Sequence, residues 1–347
     1  MASDMNDANR RRLILVTGSP RSGTTAVGDR LSLPISVGYL HEPFNVTVGI
    51  RNVETQFEAV GARNFSAERL DAIVRGIVTL RLRWKSGVRP TDRGVRRIIT
   101  HLVGGRARVS FLKCLANPFL DTIIWKDPLA ALLVNEVSAG YGVPVVVTAR
   151  PPEAIAASYV RMGWRPRVDD LLETFSQLGW SDNQLASRFG AEFSRPAVAA
   201  AALWWLIYSK LTEWGAKDSN IHFVSIQDVV EKPVQMYKHL YKLLNLPWSG
   251  QISRRIQASY RKSSTKNLST RLPNVAHVKR RDLHAVNVYG RELITGADRE
   301  LIDGMTRTLW INVQRLCCRT REASAWAPAA SAESAVALPR AQPHPQP

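Results

Sequence analysis

The chain has 347 residues and a formal net charge of +18, because 47 Lys and Arg outnumber 29 Asp and Glu. Hydrophobic residues make up 45% of it, which is typical of a globular protein and too high for a disordered one. Segment 74–113 carries a net charge of +10 and segment 254–291 a net charge of +9, so the remainder is nearly neutral. Such basic segments usually face an anionic partner.

Other protein classes are disfavoured by the same composition. The three cysteines show no CxxC spacing, which predicts neither a disulfide framework nor a zinc site. The apolar stretch near the N-terminus is too short for a signal peptide, and no run approaches the ~18 apolar residues of a membrane-spanning helix. We therefore expect a cytoplasmic protein that binds no metal.

Apolar runs alternate with helical patterns along the chain. Strands are predicted over Arg12–Gly18, Ile35–Leu40, Asp121–Lys126, Val143–Ala149 and Ile221–Ile226. Helices are predicted over Ser22–Leu31, Pro128–Ala139, Pro151–Arg161, Pro196–Gly215, Pro233–Leu244 and Arg299–Cys317, and most begin with Pro, which is favoured in the first turn. Apolar strands separated by helices predict an α/β fold with a central parallel sheet and helices on both faces.

The ends and one insertion differ from this pattern. We expect residues 1–12 and the Ala- and Pro-rich segment 320–347 to be disordered, and residues 13–319 to form a single domain with a basic insertion at about 46–113. Within the insertion, apolar residues at helical spacing predict an amphipathic helix: Leu70, Ile73, Val74, Ile77 and Val78. Three interpretations of its apolar face are open: it packs on the core, it contacts a membrane surface, or it belongs to a lid over a substrate.

A glycine-rich loop follows the first predicted strand, in the sequence LILVTGSPRSGTTAV. Gly18 and Gly23 are spaced as in a P-loop, where backbone amides converge on an anion at a helix N-terminus. A nucleotide triphosphatase places Lys after the second glycine, whereas this chain has Thr24 there and a cation, Arg21, inside the loop. The loop therefore predicts an anion site of a different kind.

A second candidate anion site follows the fourth predicted strand, in the sequence VVVTARPPEAIAASY. Arg150 ends the strand, and Ser158 lies eight residues later in the next predicted helix. Ligands of open α/β sheets bind beyond the carboxyl ends of the strands, where both motifs fall.

The two motifs resemble those of the sulfotransferases that use 3′-phosphoadenosine-5′-phosphosulfate (PAPS). The signature of that family is matched from Pro20 to Thr25, and Val224–Leu246 adds a supporting pattern. The resemblance implies a P-loop-like three-layer fold and two sets of cosubstrate-binding residues. The residues implied for the 5′-phosphosulfate are Arg21, Ser22, Gly23, Thr24 and Thr25, and those for the 3′-phosphate are Arg150 and Ser158.

The resemblance also implies catalytic groups. Glu42, in the sequence LHEPFN, matches the general base of tyrosylprotein and several bacterial and carbohydrate sulfotransferases. His41 is the rival base, since the hormone and phenol sulfotransferases use a His, although theirs follows a later strand. Lys126 and Arg21 are implied to stabilise charge on the sulfuryl and departing phosphate groups. Asp127 is expected to cap the Pro128 helix or to orient Lys126.

The C-terminal basic segment is implied to cover the 3′-phosphate through one or two of Arg261, Lys262 and Lys266. The sequence thus predicts a PAPS-dependent sulfotransferase that acts on a hydroxyl of a small molecule, glycan or glycolipid. Residues 70–113 are a candidate for peripheral membrane contact, and no nucleic-acid partner is expected. A P-loop kinase or nucleotide hydrolase, and a non-enzymatic membrane- or nucleic-acid-associated binding protein, are the alternatives.

Overall fold

A sheet of five parallel strands forms the centre of the computed structural model, which describes residues 11–85, 105–180, 183–260 and 291–322. The strands are β1 (Arg12–Thr17), β2 (Val37–His41), β3 (Thr122–Lys126), β4 (Val145–Ala149) and β5 (Ile221–Ser225). Their order is β2-β3-β1-β4-β5, which places β1 in the middle. The predicted α/β fold with a central parallel sheet is confirmed, and each strand lies within two residues of its predicted position.

Helices connect the strands and cover both faces of the sheet. In the first half of the chain they are α1 (Thr24–Leu31), α2 (Ala67–Val78), α3 (Arg106–Leu115), α4 (Val134–Tyr141), α5 (Pro152–Met162) and α6 (Val168–Gln177). In the second half they are α7 (Asn183–Phe189), α8 (Pro196–Lys217), α9 (Ile226–Glu231), α10 (Pro233–Leu243), α11 (Gly250–Tyr260) and α12 (Gly296–Glu322). Short 3₁₀ turns occupy Pro128–Leu133, Gly190–Ser194 and Arg291–Leu293.

Successive side chains of the strands alternate between two buried clusters. On β1, Leu13 and Leu15 join the larger cluster, which also contains the inward faces of α2, α3 and α8. Ile14 and Val16 join the smaller cluster with α1, α10 and α11. Because both faces of the strand are buried, the protein has three layers with the sheet between them.

Several predicted elements have different ends in the structure. The last helix continues through Thr320 to Glu322, past the predicted domain end at residue 319, because Thr320 is buried and its hydroxyl accepts a hydrogen bond from Phe223 N at 3.0 Å. The helix predicted from Pro128 begins as a 3₁₀ turn. The short helix α9 follows β5 directly, with Ser225 as its N-cap.

The predicted amphipathic helix of the insertion is α2, and its apolar stripe faces the core. Leu70, Ile73, Val74, Ile77 and Val78 are all buried in the larger cluster, so this stripe does not face a membrane. Of the remaining basic insertion, residues 86–104 lie outside the described part of the chain. Among the helices that the structure describes, none is both long and apolar enough to cross a bilayer.

Candidate active site

The loop between β1 and α1 lies against the ends of β4 and α9. A Cβ on Gly18, whose φ is +137°, would lie 2.6 Å from the carbonyl oxygen of Thr148. A Cβ on Gly23, whose φ is +101°, would lie 2.4 Å from Cδ1 of Ile226. Both positions therefore need glycine for backbone conformation and for space. The two glycines fix the path of the loop over the carboxyl edge of the sheet.

The N-terminus of α1 opens onto this loop. Gly23 is the N-cap and has no side chain to accept hydrogen bonds from the first amides of the helix. The first intrahelical bond is donated by Val27 N to Gly23 O at 3.2 Å, so the preceding amides have no partner within the helix. Together with the positive end of the helix dipole, these amides suit a bound anion.

Ser22 anchors the loop. Its hydroxyl shares a 2.7 Å hydrogen bond with the hydroxyl of Thr148, and its backbone amide donates to Ser19 O at 3.0 Å. The side chain is buried. These contacts hold Ser22 in the loop, and its contact with a cosubstrate stays a prediction.

The two predicted anion motifs meet in space. Arg21, at the tip of the loop, donates from Nε to Ser158 Oγ at 2.9 Å, across 137 residues of sequence. Arg150 follows β4 and donates from Nη1 to the carbonyl oxygen of Arg21 at 3.3 Å. The indole of Trp164 lies against the Arg21 guanidinium, with Cζ 5.6 Å from the ring centroid. Arg21, Arg150 and Ser158 thus form one continuous site.

Positive charge is concentrated around this site. Burial, followed by the nearby charges of Arg21, Arg161 and Arg291, lowers the pKa of Arg150 to about 10. Burial and then Arg161 also lower the pKa of Arg21. Guanidinium groups this close to each other repel, and an anion with several charges would relieve that repulsion.

A second pair of residues lies at the same edge of the sheet, on the strands next to β1. Lys126 ends β3 and is paired in register with Val16 of β1 and with His41 of β2. Its side chain is 1% exposed and forms an ion pair with Glu42, the residue that follows β2. Gly28 of α1 allows this burial, because a Cβ there would lie 3.2 Å from Cβ and Cγ of Lys126.

Glu42 is held by several contacts. Its backbone amide donates to Lys126 O at 2.8 Å, and its φ of +46° is unusual for a residue other than glycine. The side chain of Asn45 donates from Nδ2 to Glu42 Oε2 at 3.2 Å. Burial by itself would raise the pKa of Glu42, but the charges of Lys126 and His41, with hydrogen bonds from Lys126 and Asn45, lower it to about 2. Glu42 is therefore ionised at neutral pH.

His41, the rival base, lies beside the same carboxylate. Its Nε2 is 3.8 Å from Glu42 Oε1, and its Nδ1 shares a 3.1 Å hydrogen bond with the hydroxyl of Tyr39. Its backbone amide donates to Ser110 Oγ at 2.9 Å. His41 thus lies next to Glu42, the predicted base, and is also held by Tyr39.

Asp127 has the capping role that was one of its two predicted functions. Its carboxylate accepts hydrogen bonds from Leu129 N at 3.0 Å, at the start of the 3₁₀ turn, and from Phe44 N at 2.6 Å. Burial and then the charge of Glu42 raise its pKa to about 7. Asp127 therefore ties the loop after Glu42 to the end of β3, which fixes the position of the Glu42–Lys126 pair.

The predicted site residues that the structure describes lie at the carboxyl edge of the sheet, in two groups. Thr24 and Thr25 begin α1 behind Arg21, whereas Arg261, Lys262 and Lys266 lie outside the described residues. The sequence reasoning missed Asn45 and Thr148, although both lie in the quoted sequences LHEPFN and VVVTARPPEAIAASY, and it missed Trp164, which no motif marks. Within the described ranges, no group of three or more His, Cys, Asp and Glu residues could hold a metal ion.

Comparisons with known proteins identify no family for the chain. No family model matches it, and no curated protein matches it. Among solved structures, a sulfotransferase domain from the curacin biosynthetic pathway is 15% identical, with 90% of this chain and 98% of that chain covered and a TM-score of 0.39. A Mycobacterium avium sulfotransferase is 12% identical, covering 87% of this chain and 78% of that chain, with a TM-score of 0.40.

A mouse sulfotransferase, solved in complex with PAP, is also 12% identical. It covers 90% of this chain and 89% of that chain, with a TM-score of 0.39. At such identities and TM-scores, these likenesses do not establish the reaction of the present chain. The function has to be inferred from the residues of the site.

Proposed function

We propose that the chain is a sulfotransferase that moves the sulfuryl group of PAPS to an acceptor hydroxyl. The observation that carries the proposal is the meeting of the two anion motifs through the Arg21–Ser158 hydrogen bond of 2.9 Å, at the edge of the sheet that also holds Glu42 and Lys126. One site binds anions and the other contains a base and a cation, which is the combination that sulfuryl transfer needs.

PAPS fits the charges of the site. The N-terminus of α1 and the Arg21 guanidinium suit its 5′-phosphosulfate, and Arg150, with Ser158, suits its 3′-phosphate. Burial and then the neighbouring arginines lower the pKa of Arg150, and a ligand with two anionic groups relieves the repulsion among those arginines when it binds there. A sulfuryl group carries less charge than a γ-phosphoryl group, so loop amides and arginines can replace the Lys and metal ion of a nucleotide triphosphatase.

The transfer is an in-line displacement. The acceptor oxygen attacks sulfur while Glu42 accepts the proton of the acceptor hydroxyl, and the bond from sulfur to the 5′-phosphate oxygen breaks. Lys126 and Arg21 stabilise the negative charge that develops on the departing 3′,5′-bisphosphoadenosine (PAP). Loss of either cation is expected to lower the rate by about 10²–10³, as loss of one oxyanion-hole donor does.

The ion pair between Glu42 and Lys126 has to open during this reaction. Burial alone would raise the pKa of Glu42, but the paired Lys126 contributes to lowering it to about 2. A carboxylate with so low a pKa is a weak base. When Lys126 turns toward the sulfuryl group, Glu42 loses its strongest positive neighbour and its pKa rises. The arriving donor thereby converts Glu42 into a better base for the acceptor.

The alternatives make different binding predictions. A P-loop kinase or nucleotide hydrolase binds ATP with Mg²⁺, whereas Thr24 stands where such enzymes have their Lys. A non-enzymatic binding protein for nucleic acid binds DNA without preference for PAP. Isothermal titration of the full chain with PAP, Mg²⁺–ATP and duplex DNA separates the three: we expect tight binding of PAP alone, and ATP binding without PAP binding would refute the proposal.

Replacing Arg150 by Ala sharpens this test. The variant loses the guanidinium assigned to the 3′-phosphate, so its affinity should fall more for PAP than for adenosine 5′-phosphosulfate, which lacks that phosphate. A matched control is Arg188→Ala, which removes an arginine whose guanidinium lies against Phe189 rather than at the site. Equal losses for both ligands would place the 3′-phosphate elsewhere.

A further inference from the structure

One corner of the molecule is unusually apolar. Seven large hydrophobic side chains of the described residues are well exposed, and four of them lie together near the C-terminus of α3. They are Ile35 at 73%, Leu112 at 42%, Leu115 at 58% and Phe119 at 63%. We call these four residues the apolar corner. Single exposed apolar residues are common on soluble proteins, but a cluster of them marks an interaction surface.

The backbone holds the four residues in one place. Leu112 and Leu115 are three positions apart on the outer side of α3, whose inner side packs on β2. In the loop that follows, Asn117 donates from Nδ2 to the carbonyl oxygen of Ile35 at 2.8 Å and accepts from Phe119 N at 3.0 Å. Asn117 therefore links the helix end, the Phe119 loop and the segment before β2 into one surface.

The charge beside the apolar corner is positive. Lys113 is exposed between Leu112 and Leu115, and Arg108 is partly exposed one turn earlier on the same helix. Residues 105–120 contain three basic residues and no acidic one. The nearest acid in sequence, Asp121, is also exposed, so residues 105–121 carry a net charge of +2. Aliphatic and aromatic side chains beside cations match the interface of an anionic bilayer.

The exposed area disfavours a second copy of the chain as the occupant. If each of the four side chains offers about 200 Å² when fully accessible, their exposed fractions add up to roughly 500 Å². A stable protein interface buries about 800 Å² on each partner. Insertion of a few side chains into a fluid bilayer has no such requirement, because lipids adapt to the shape of the surface.

We propose that the apolar corner is a docking surface for an anionic lipid bilayer. The buried stripe of α2 plays no part in it, so the contact differs from the one that the helical pattern of residues 70–78 suggested. The corner lies at the amino ends of β2 and β3, roughly 20 Å along the strands from Glu42 at their carboxyl ends. Docking therefore leaves the candidate active site open. The proposal of a docking surface does not depend on whether the chain transfers sulfuryl groups.

Flotation of the full chain with vesicles tests the proposal. We expect binding to vesicles of phosphatidylcholine mixed with phosphatidylglycerol, weaker binding to phosphatidylcholine alone, and a loss of binding at high salt. The double variant Leu115→Ser/Phe119→Ser should lower the partition coefficient by about tenfold or more, and Lys113→Glu should lower it for anionic vesicles. A matched control, Ile311→Ser, removes an apolar side chain that is 43% exposed on α12 and should bind like the parent chain.

Three results would overturn the proposal. The parent chain fails to bind anionic vesicles, or the double variant binds as well as the parent, in which case basic segments alone carry the binding. The third such result is a dimer of the parent chain in light scattering that becomes a monomer in the double variant, because the apolar corner would then bind a second copy of the chain. The melting temperature of each variant is measured alongside, and Lys113→Glu, which changes only an exposed charge, gives a readout even where the double variant unfolds.

Discussion

Replacing Glu42 by Gln should change turnover and cosubstrate affinity in opposite directions. The variant keeps the size of the side chain but removes the charge that pairs with Lys126. Turnover should fall by about 10²–10⁴, because the acceptor hydroxyl loses its general base. PAP should bind more tightly, because Lys126 no longer has to leave a carboxylate in order to meet an anion.

The size of the gain in affinity follows from the structure. A fall in the pKa of Glu42 from 4.5 to about 2 corresponds to about 3 kcal/mol of net stabilisation of its ionised form. A bound anion that draws Lys126 away from Glu42 removes part of this stabilisation, which weakens binding of the anion. Two strand spacings separate β2 from β1, or roughly 10 Å, over which a carboxylate and an anionic charge repel by about 1.5 kcal/mol at an effective dielectric constant of 20. We expect a gain of about 1–2 kcal/mol, or roughly tenfold tighter binding of PAP.

Calorimetry with PAP measures the affinity, and labelled PAPS with an acceptor found in host extracts measures the turnover. Glu54→Gln serves as the control, because it removes an exposed carboxylate that pairs with Arg69 at 3.0 Å away from the site. A purely structural role for Glu42 would weaken both activities together. Near-normal turnover in the Gln variant would refute the assignment of the base, and weaker binding of PAP would refute the competition for Lys126.

Two further predictions concern stability. Gly23→Ala should destabilise the fold by about 2–4 kcal/mol, because the φ of +101° and a contact of 2.4 Å with Ile226 both oppose a Cβ at this position. The control Gly142→Ala, with a φ of +64° and open space around it, should cost about 1 kcal/mol, and chemical unfolding measures both values. Because the pKa of Glu42 is lowered in the folded chain, its ionised form stabilises the fold above about pH 4.5, and this contribution is lost as the pH falls toward 2. The difference in unfolding free energy between the parent chain and Glu42→Gln should therefore shrink as the pH falls below 4.5, and a difference that grows there would contradict the pairing.

The strands and the loop motif could be predicted from the sequence because their causes are local. A run such as Val143–Ala149 is short, mostly apolar and rich in β-branched Val and Thr, which favours a strand buried on both faces over a helix. Gly18 and Gly23 mark the loop because left-handed backbone is cheap only for glycine. Since ligands bind where parallel strands end, the residues after the predicted strands were the correct place to look for the site.

The contacts within the site could not be predicted, because they depend on the order of the strands in the sheet. The hydrogen bond between Arg21 and Ser158 requires β4 to lie beside β1, and the pair of Glu42 and Lys126 requires β2 to lie beside β3. Nothing in one sequence fixes that order. The helices α6 and α11 were also missed, although the buried residues Val168, Leu171 and Phe175 of α6 lie at helical spacing; α11 buries only Ile252 and Ile256.

The two groups of site residues differ in their electrostatics, and this difference gives the proposed reaction its order of events. Around Arg150, like charges crowd together, so an anion is attracted there before any internal contact has to break. Around Glu42, opposite charges already neutralise each other, so an anion gains little until Lys126 turns away from the carboxylate. A donor held first by Arg21 and Arg150 brings its sulfuryl group toward Lys126 as an intramolecular competitor of Glu42, at a high effective concentration. Glu42 therefore gains its basicity only when the donor is in place, and in the resting protein its pairing with Lys126 keeps it from accepting a proton from water.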